Sequence, residues 1–429
     1  MKNKLSALLN QLNTGISIIA VITSAIAIVL APNIISAGDF RSGVASVDIT
    51  PPLGCAMSGY AAPGGRYSTG VMHPLHANAV VFSDSRSTAV IITLDLLNLN
   101  APTVKAIRQR ITASTGIPED HIMLASSHTH AGPMVGKTFS EGGEPDPDPG
   151  YMRILEEKIA ESALQAHKNM HPAVLEYGEG NSHLNVNRRL RVNDEMAMRP
   201  NLSGIVDHRV KILKFKPLQS DAPSCILFHF PCHPNVMRGD NTLISGDHPS
   251  PAKAYVETMF GNACIALYAQ GCTGNIRPNF SSPDGGFAPG KKYDVEQFGK
   301  TLGKEVVRVC TQETTPVRNT AIQAKNIELI LPAKKGGTIN SEIQAIHIGD
   351  MWIVAIPGEP CIEFALQIEQ KITGTVLVFG YSNDSIGYLC PESYYAEGGY
   401  EPTSSFATME SEKIILSTAV NLYQSMINR

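Results

Sequence analysis

Three stretches of this chain share one plan: an apolar run, then a turn rich in Gly or Pro that carries a histidine or a carboxylate. They read HIMLASSHTHAGP from His121, ILFHFPCHPN from Ile226 and MWIVAIPGEP from Met351. A short apolar run bounded by turn residues is the pattern of a strand buried on both faces, and such a strand needs cover on each side. The chain is therefore constrained to an α/β arrangement whose buried strands deliver polar groups at their ends.

The segments between these runs supply the cover. Residues 75–82 and 88–94 predict a hairpin about a polar turn at 83–86. Helices are expected over 103–114, stopped at Gly116, over 151–170, and over 294–310, where Val295, Phe298, Leu302 and Val306 share one face. Ser250 followed by Pro251 reads as an N-cap and a first-turn proline, opening a helix that ends at Gly261. Residues 263–269, 352–356 and 376–379 read as strands, and 411–427 as an amphipathic closing helix. This order predicts an α/β fold of mixed β-sheets flanked by helices. The Pro-rich stretch at 142–150 reads as an exposed loop, and no internal repeat or low-complexity linker divides residues 38–429, which are expected to form one domain.

The N-terminus follows other rules. Lys2 and Lys4 precede an apolar stretch from Gly15 to Ile35, broken only by Ser, Thr and Pro32-Asn33, which exits through Ser36 and Ala37. A positive start, an apolar middle and a small-residue exit describe a secretory signal, with an uncleaved membrane anchor as the rival reading of residues 1–37. The remainder is expected outside the cytoplasm, periplasmic or secreted. A net charge of -4 provides no basic footprint for nucleic acid. The eight cysteines show no CxxC pair, and Cys232, Cys272, Cys361 and Cys390 read as small buried hydrophobes.

On an extended chain residues i and i+2 share a face, so His128 and His130 are expected to project together from one strand end. That suggests a metal or proton-transfer site, against the plainer reading of two ordinary buried histidines. His233 and Glu359, each delivered by an apolar run and a turn, strengthen the first reading. Asp95 and Asp247 read either as groups that orient a metal-bound histidine or as carboxylates capping a turn. Gly59 reads as a close-approach or turn glycine.

Taken in order, VASVDITPPLGCAMSGYA, SSHTHAGP, NVNRR, FPCHPN, IPGEP and IGYLCPESYYAEGGYE resemble the catalytic domain of the neutral and alkaline non-lysosomal ceramidase family, through most of residues 41–405. The resemblance implies a zinc-dependent amidase with the ion held by His128, His233, Glu359 and Tyr388. His130, Arg188 and Tyr400 would line the same pocket, with Gly59 and Asn275 beside the substrate. It also implies a departure. The family's nucleophile motif is Gly-Asp-x-Ser-Pro-Asn, whereas this chain has GNIRPN, placing Asn275 at the aspartate and Arg277 at the serine. A ceramidase is expected to use that hydroxyl, so ceramide is not the expected substrate. Longer members carry a C-terminal sandwich domain, which is not expected after the closing helix here.

The resulting expectation is a zinc-dependent hydrolase that cleaves an amide or related acyl bond of a small polar or anionic molecule by metal-activated water. In it His130 moves protons, and Arg277 or Arg188 stabilises developing negative charge. The alternatives are a zinc enzyme acting on a carbohydrate or lactone, and an inactive protein that binds a ligand through Arg277. A metallo-β-lactamase-like reading of His-x-His fails at Gly132 and Pro133, where an Asp-His pair would be needed.

Overall fold

The computed structural model describes residues 40–60, 65–136, 145–261 and 263–428. The expected signal or anchor over residues 1–37, and part of the expected loop at 142–150, lie outside the described residues. The chain divides into two units, Met1–Ser36 and Ala37–Arg429.

Among the described residues the larger sheet has nine strands. Its path runs Ile265–Gln270, Cys225–Phe230, Arg209–Pro217, His171–Asn181, Arg41–Asp48, His76–Ser83, Thr88–Leu94 and Ile122–Ser126, with Thr315–Pro316 paired to His171–Asn181. A second sheet orders Ile322–Pro332, Thr338–Ile348, Met351–Ala355 and Thr375–Phe379.

Period-two alternation assigns each strand residue to one of two cores. On His76–Ser83 and Thr88–Leu94, Ala77, Ala79, Val81, Val90 and Ile92 pack with Val104, Leu155, Val256 and Leu302 of the helices Ala101–Thr115, Pro149–Lys168, Pro249–Phe260 and Lys292–Gln312. Their neighbours Val80, Phe82 and Ile91 join Leu213, Phe215, Ile346, Ile353, Leu377 and Phe379 in a core between the two sheets. The outer face of the second sheet, including Trp352, Val354 and Val378, packs on Phe364 and Ile368 of Ile362–Lys371 and on Ile415 and Leu422 of Ser411–Ile427. The molecule is thus layered helix, sheet, sheet, helix. Each large side chain fully buried in these layers stabilises the fold by about 1.5–3 kcal/mol.

The predicted hairpin forms with antiparallel register, and Gly116 closes its helix in the left-handed conformation at φ 77°. Helix Ser411–Ile427 has the expected bounds. One expectation is corrected. The helix assigned to a Ser250 cap begins earlier, at Pro249, with His248 before it, and the Ser250 hydroxyl caps nothing. Proline at the first helical position needs no donor, so Pro249 sets the start. The hairpin of Ile322–Pro332 and Thr338–Ile348 escaped the apolar-run reading because exposed polar residues such as Glu328 and Asn340 interrupt it. No helix among the described residues is long and apolar enough to cross a membrane.

What positions the site is parallel pairing. Ile122–Ser126 runs parallel to Thr88–Leu94, Cys225–Phe230 to Ile265–Gln270, and Met351–Ala355 to Thr375–Phe379. The chain leaving Thr375–Phe379 stitches the sheets together. Gly380 N donates to Gln270 O at 3.1 Å, Ser126 N donates to Tyr381 O at 3.1 Å, and Asn383 N donates to Leu124 O at 2.9 Å. Strand ends carrying His128, His233, Glu359 and Tyr381 thereby meet.

Candidate metal centre

His128 and His130 do come together, but not as neighbours on an extended strand. The strand stops at Ser126, and His128 has φ 66°, a left-handed backbone held by its N–H donating to Leu96 O at 2.9 Å. For a non-glycine residue that conformation costs on the order of 1 kcal/mol, and such residues cluster at functional sites. The two rings end edge to face, 4.9 Å apart.

His233 joins them, its ring centroid 4.7 Å from that of His128 and 5.3 Å from that of His130. Ligand atoms of the three imidazoles lie within 4.8 Å of one another. Glu359 Oε2 stands 3.3 Å from His128 Nε2 and 3.9 Å from His233 Nε2. His128 Nε2, His233 Nε2, both ring nitrogens of His130 and Glu359 Oε2 are buried without a hydrogen-bond partner. Unpaired buried polar atoms cost about 1–3 kcal/mol each, so a cluster of them requires a reason.

A metal ion is a sufficient reason. His128 Nδ1 lies 2.9 Å from Leu97 O, and His233 Nδ1 lies 2.8 Å from Thr273 O. A carbonyl only accepts, so each Nδ1 carries the proton and each Nε2 presents a lone pair to the cluster. Burial, followed by the charges of His128 and Arg188, pushes His233 well below the usual histidine pKa; burial, His128 and Arg277 do the same to His130. Burial alone would raise the pKa of Glu359, but His128, Tyr388 and Arg188 outweigh it and hold the carboxyl below its ordinary range. Imidazole nitrogens beside a carboxylate form a nitrogen and oxygen donor set that suits zinc.

Tyr388 pairs in parallel register with Glu359, and its hydroxyl helps to lower the pKa of that carboxyl. Burial, and then Glu359, push its phenol well above the ordinary tyrosine range. Arg188 Nη2 donates to the Tyr388 hydroxyl at 3.2 Å, while Arg188 Nε donates to Glu401 Oε1 at 2.7 Å. Tyr400 is half exposed at the rim, 5.5 Å from the Tyr388 ring, with Arg188 Cζ 5.4 Å from its own.

The remaining expected residues divide. Asn275 Nδ2 donates to Glu363 at 3.0 Å and to the Tyr394 hydroxyl at 2.9 Å, while its Oδ1 accepts from Ile362 N at 2.9 Å. Its amide is committed to the framework. Arg277 is 7% exposed with its Cζ 4.6 Å from the Phe287 ring. Asp95 binds Lys253 Nζ through both oxygens at 2.7 Å, and Asp247 accepts from the backbone of Val236, Met237 and His248. Both are therefore structural carboxylates, and backbone carbonyls orient the histidines instead.

Gly59 has φ 97°, and a Cβ there would lie 2.7 Å from His130 Cα and Cγ. Gly59→Ala is expected to destabilise the protein by about 1–3 kcal/mol through overpacking and left-handed strain. Urea unfolding checks this, and a loss below about 0.5 kcal/mol would mean that His130 moves aside freely.

Sequence reasoning passed over two residues here. Tyr381 lies 4.1 Å from the His128 ring, with its hydroxyl 2.7 Å from Thr273 Oγ1. Glu401 is the buried counter-ion of Arg188 and Arg189. Tyr381 directly follows an apolar run and a glycine, the same signal that exposed His233 and Glu359.

The sequence profile described as "Neutral/alkaline non-lysosomal ceramidase, N-terminal" matches residues 40–297. Neutral ceramidase A of Dictyostelium discoideum is 26% identical over 265 residues, 57% of this chain and 36% of that protein. Neutral ceramidase of Mycobacterium tuberculosis is 22% identical over 486 residues, 87% of this chain and 74% of that protein. The alignment thus spans about a third of the first of these relatives. The crystal structure of neutral ceramidase from Pseudomonas aeruginosa superposes with a TM-score of 0.77 at 18% identity, covering 90% of this chain and 75% of that one, a likeness of fold.

Proposed function

Since the chain belongs to the neutral/alkaline non-lysosomal ceramidase family, we propose that it is a zinc-dependent hydrolase that cleaves an amide or related acyl bond of a small polar or anionic substrate rather than ceramide. The observation carrying this reading is the convergence of His128 Nε2, His233 Nε2 and Glu359 Oε2, all buried and unpartnered, at the meeting of the sheet ends.

His128, His233 and Glu359 would hold the ion, with Tyr388 completing the set. Bound there, zinc supplies the charge that polarises a carbonyl and acidifies water. His130 differs from the other two imidazoles: among the described residues no hydrogen-bond partner fixes either nitrogen of its ring. We assign it proton transfer, accepting at whichever ring nitrogen is unprotonated and returning the proton to the leaving group. Arg188 is occupied by Glu401 and Tyr388, so it acts as a positioning residue that keeps the Tyr388 hydroxyl beside Glu359. Arg277, which has no ion-pair partner among the described residues, is available to charge on the substrate. Tyr400, half exposed at the rim, bounds the entrance. The charged N-terminal start and apolar segment support export of the domain, which we include in the proposal.

The test is a panel of simple amides, esters, lactones and glycosides with the zinc-loaded protein. Amide or ester cleavage that disappears on chelation and returns with zinc is the expected result. Cleavage confined to lactones or glycosides would replace the acyl reading, and turnover indifferent to chelation would overturn the metal assignment.

A further inference from the structure

Arg277 is a buried cation to which the described residues offer no anion. Among the described residues no carboxylate lies within ion-pair distance of it, and the one recorded acceptor of its guanidinium is Met198 Sδ at 3.8 Å. Its Nε is buried and unpartnered. Neighbouring arginines are arranged otherwise. Arg188 and Arg189 share Glu401, each at 2.7 Å, and Arg66 donates to the backbone oxygens of Asn241 at 2.8 Å and Ser58 at 2.6 Å. An uncompensated buried charge is costly, and the described residues give Arg188 a buried counter-ion in Glu401 while giving Arg277 none.

The surroundings of Arg277 fix what is missing. Phe287 lies against the guanidinium at 4.6 Å from Cζ, which leaves the donor edge to recognise a ligand. The charge of Arg277 acts on His130 and on Tyr60, whose ring stands 4.8 Å from that of His130, so the cation lies within electrostatic reach of the imidazole cluster. Burial, and then Arg188, bring its pKa down to about 10, which still leaves it charged at neutral pH. Arg66 and Arg238 add to the positive field felt by the same tyrosine.

We propose that Arg277 is the substrate's carboxylate receptor, and that the substrates are small amides bearing a carboxylate, of the N-acylated amino acid class. This rests on the hydrolase reading for what happens to the amide, but not for the recognition itself. A planar carboxylate accepts two parallel N–H bonds from a guanidinium edge, which a neutral carboxamide of the same shape cannot match.

The experiment compares N-acetyl amino acids with their C-terminal carboxamides, using full-length zinc-supplemented protein. Binding is measured by calorimetry and turnover is measured in parallel. The wild-type protein is expected to prefer the acid by roughly 10- to 100-fold, the range for hydrogen bonds to a charged group. Arg277→Met should reduce that preference to about 3-fold or less, and Arg277→Lys should restore only part of it. Replacing an unpaired buried charge by an apolar side chain of similar length does not endanger folding, and unchanged zinc content in Arg277→Met verifies it. Equal affinity for acid and carboxamide, no saturable binding of either, or a preference that survives Arg277→Met would overturn the proposal. An intact, Arg277-dependent preference without turnover would uphold it and remove the hydrolase reading instead.

Discussion

Replacing His128 and His233 together by alanine is expected to take the protein from about one bound zinc per chain to background. Each ring is committed to the cluster by its own backbone anchor, Leu97 O for His128 and Thr273 O for His233, so neither has another role to fall back on. A complete zinc site releases about 10–16 kcal/mol at neutral pH, and losing two nitrogen donors removes enough to weaken binding by roughly 1,000-fold or more. His130 and Glu359 would remain, too few to hold the ion against dialysis. Metal analysis after dialysis, with circular dichroism to verify the fold, decides it. Stoichiometric zinc in a folded double variant would mean that the ion sits elsewhere and would remove the basis of the proposed function.

The strands and turns that build this centre were legible because their signal is local. An apolar run followed by Pro or Gly and a polar group fixes a strand, its end and one member of the buried cluster, and it did so for His233 and Glu359. The same logic misdescribed His128. Period-two reasoning places it beside His130 on a continuing strand, whereas the chain has already turned and reaches the same proximity through a left-handed residue. The layering of two sheets back to back was also hidden, since a strand buried on both faces reads alike whether helix or sheet covers it. Partners distant in sequence were the other blind spot. Nothing around Asp95 announces Lys253, and nothing around Arg188 announces Glu401, because ion pairs are set by tertiary packing and leave no periodicity.

That last pair carries the second large effect. Glu401 is 2% exposed and accepts from Arg188 Nε and Arg189 Nη1, both at 2.7 Å. Arg189 in turn lies over Tyr394, 3.6 Å from the ring centroid, and Arg188 reaches the Tyr388 hydroxyl, so one carboxylate sets two guanidinium groups and, through them, two tyrosines, of which Tyr388 pairs with Glu359. Glu401→Ala would leave Arg188 with no carboxylate among the described residues and Arg189 with Glu397 alone. Breaking a buried pair from one side costs about 3–5 kcal/mol, and that loss is expected in urea unfolding at neutral pH. The effect carries a pH signature with a definite sign. Burial would raise the Glu401 pKa, but Arg188 and Arg189 outweigh it and lower it beneath 4.5. A carboxyl depressed in the folded state contributes its full stability above the unfolded pKa of about 4.5 and loses it as pH falls through the lower folded value. The gap between wild type and Glu401→Ala should therefore be widest near pH 7 and close as the solution is acidified below about pH 4. A gap under about 1 kcal/mol at neutral pH would show that the arginines find another anion, and with it that the Tyr388 hydroxyl is held in place by something other than this network.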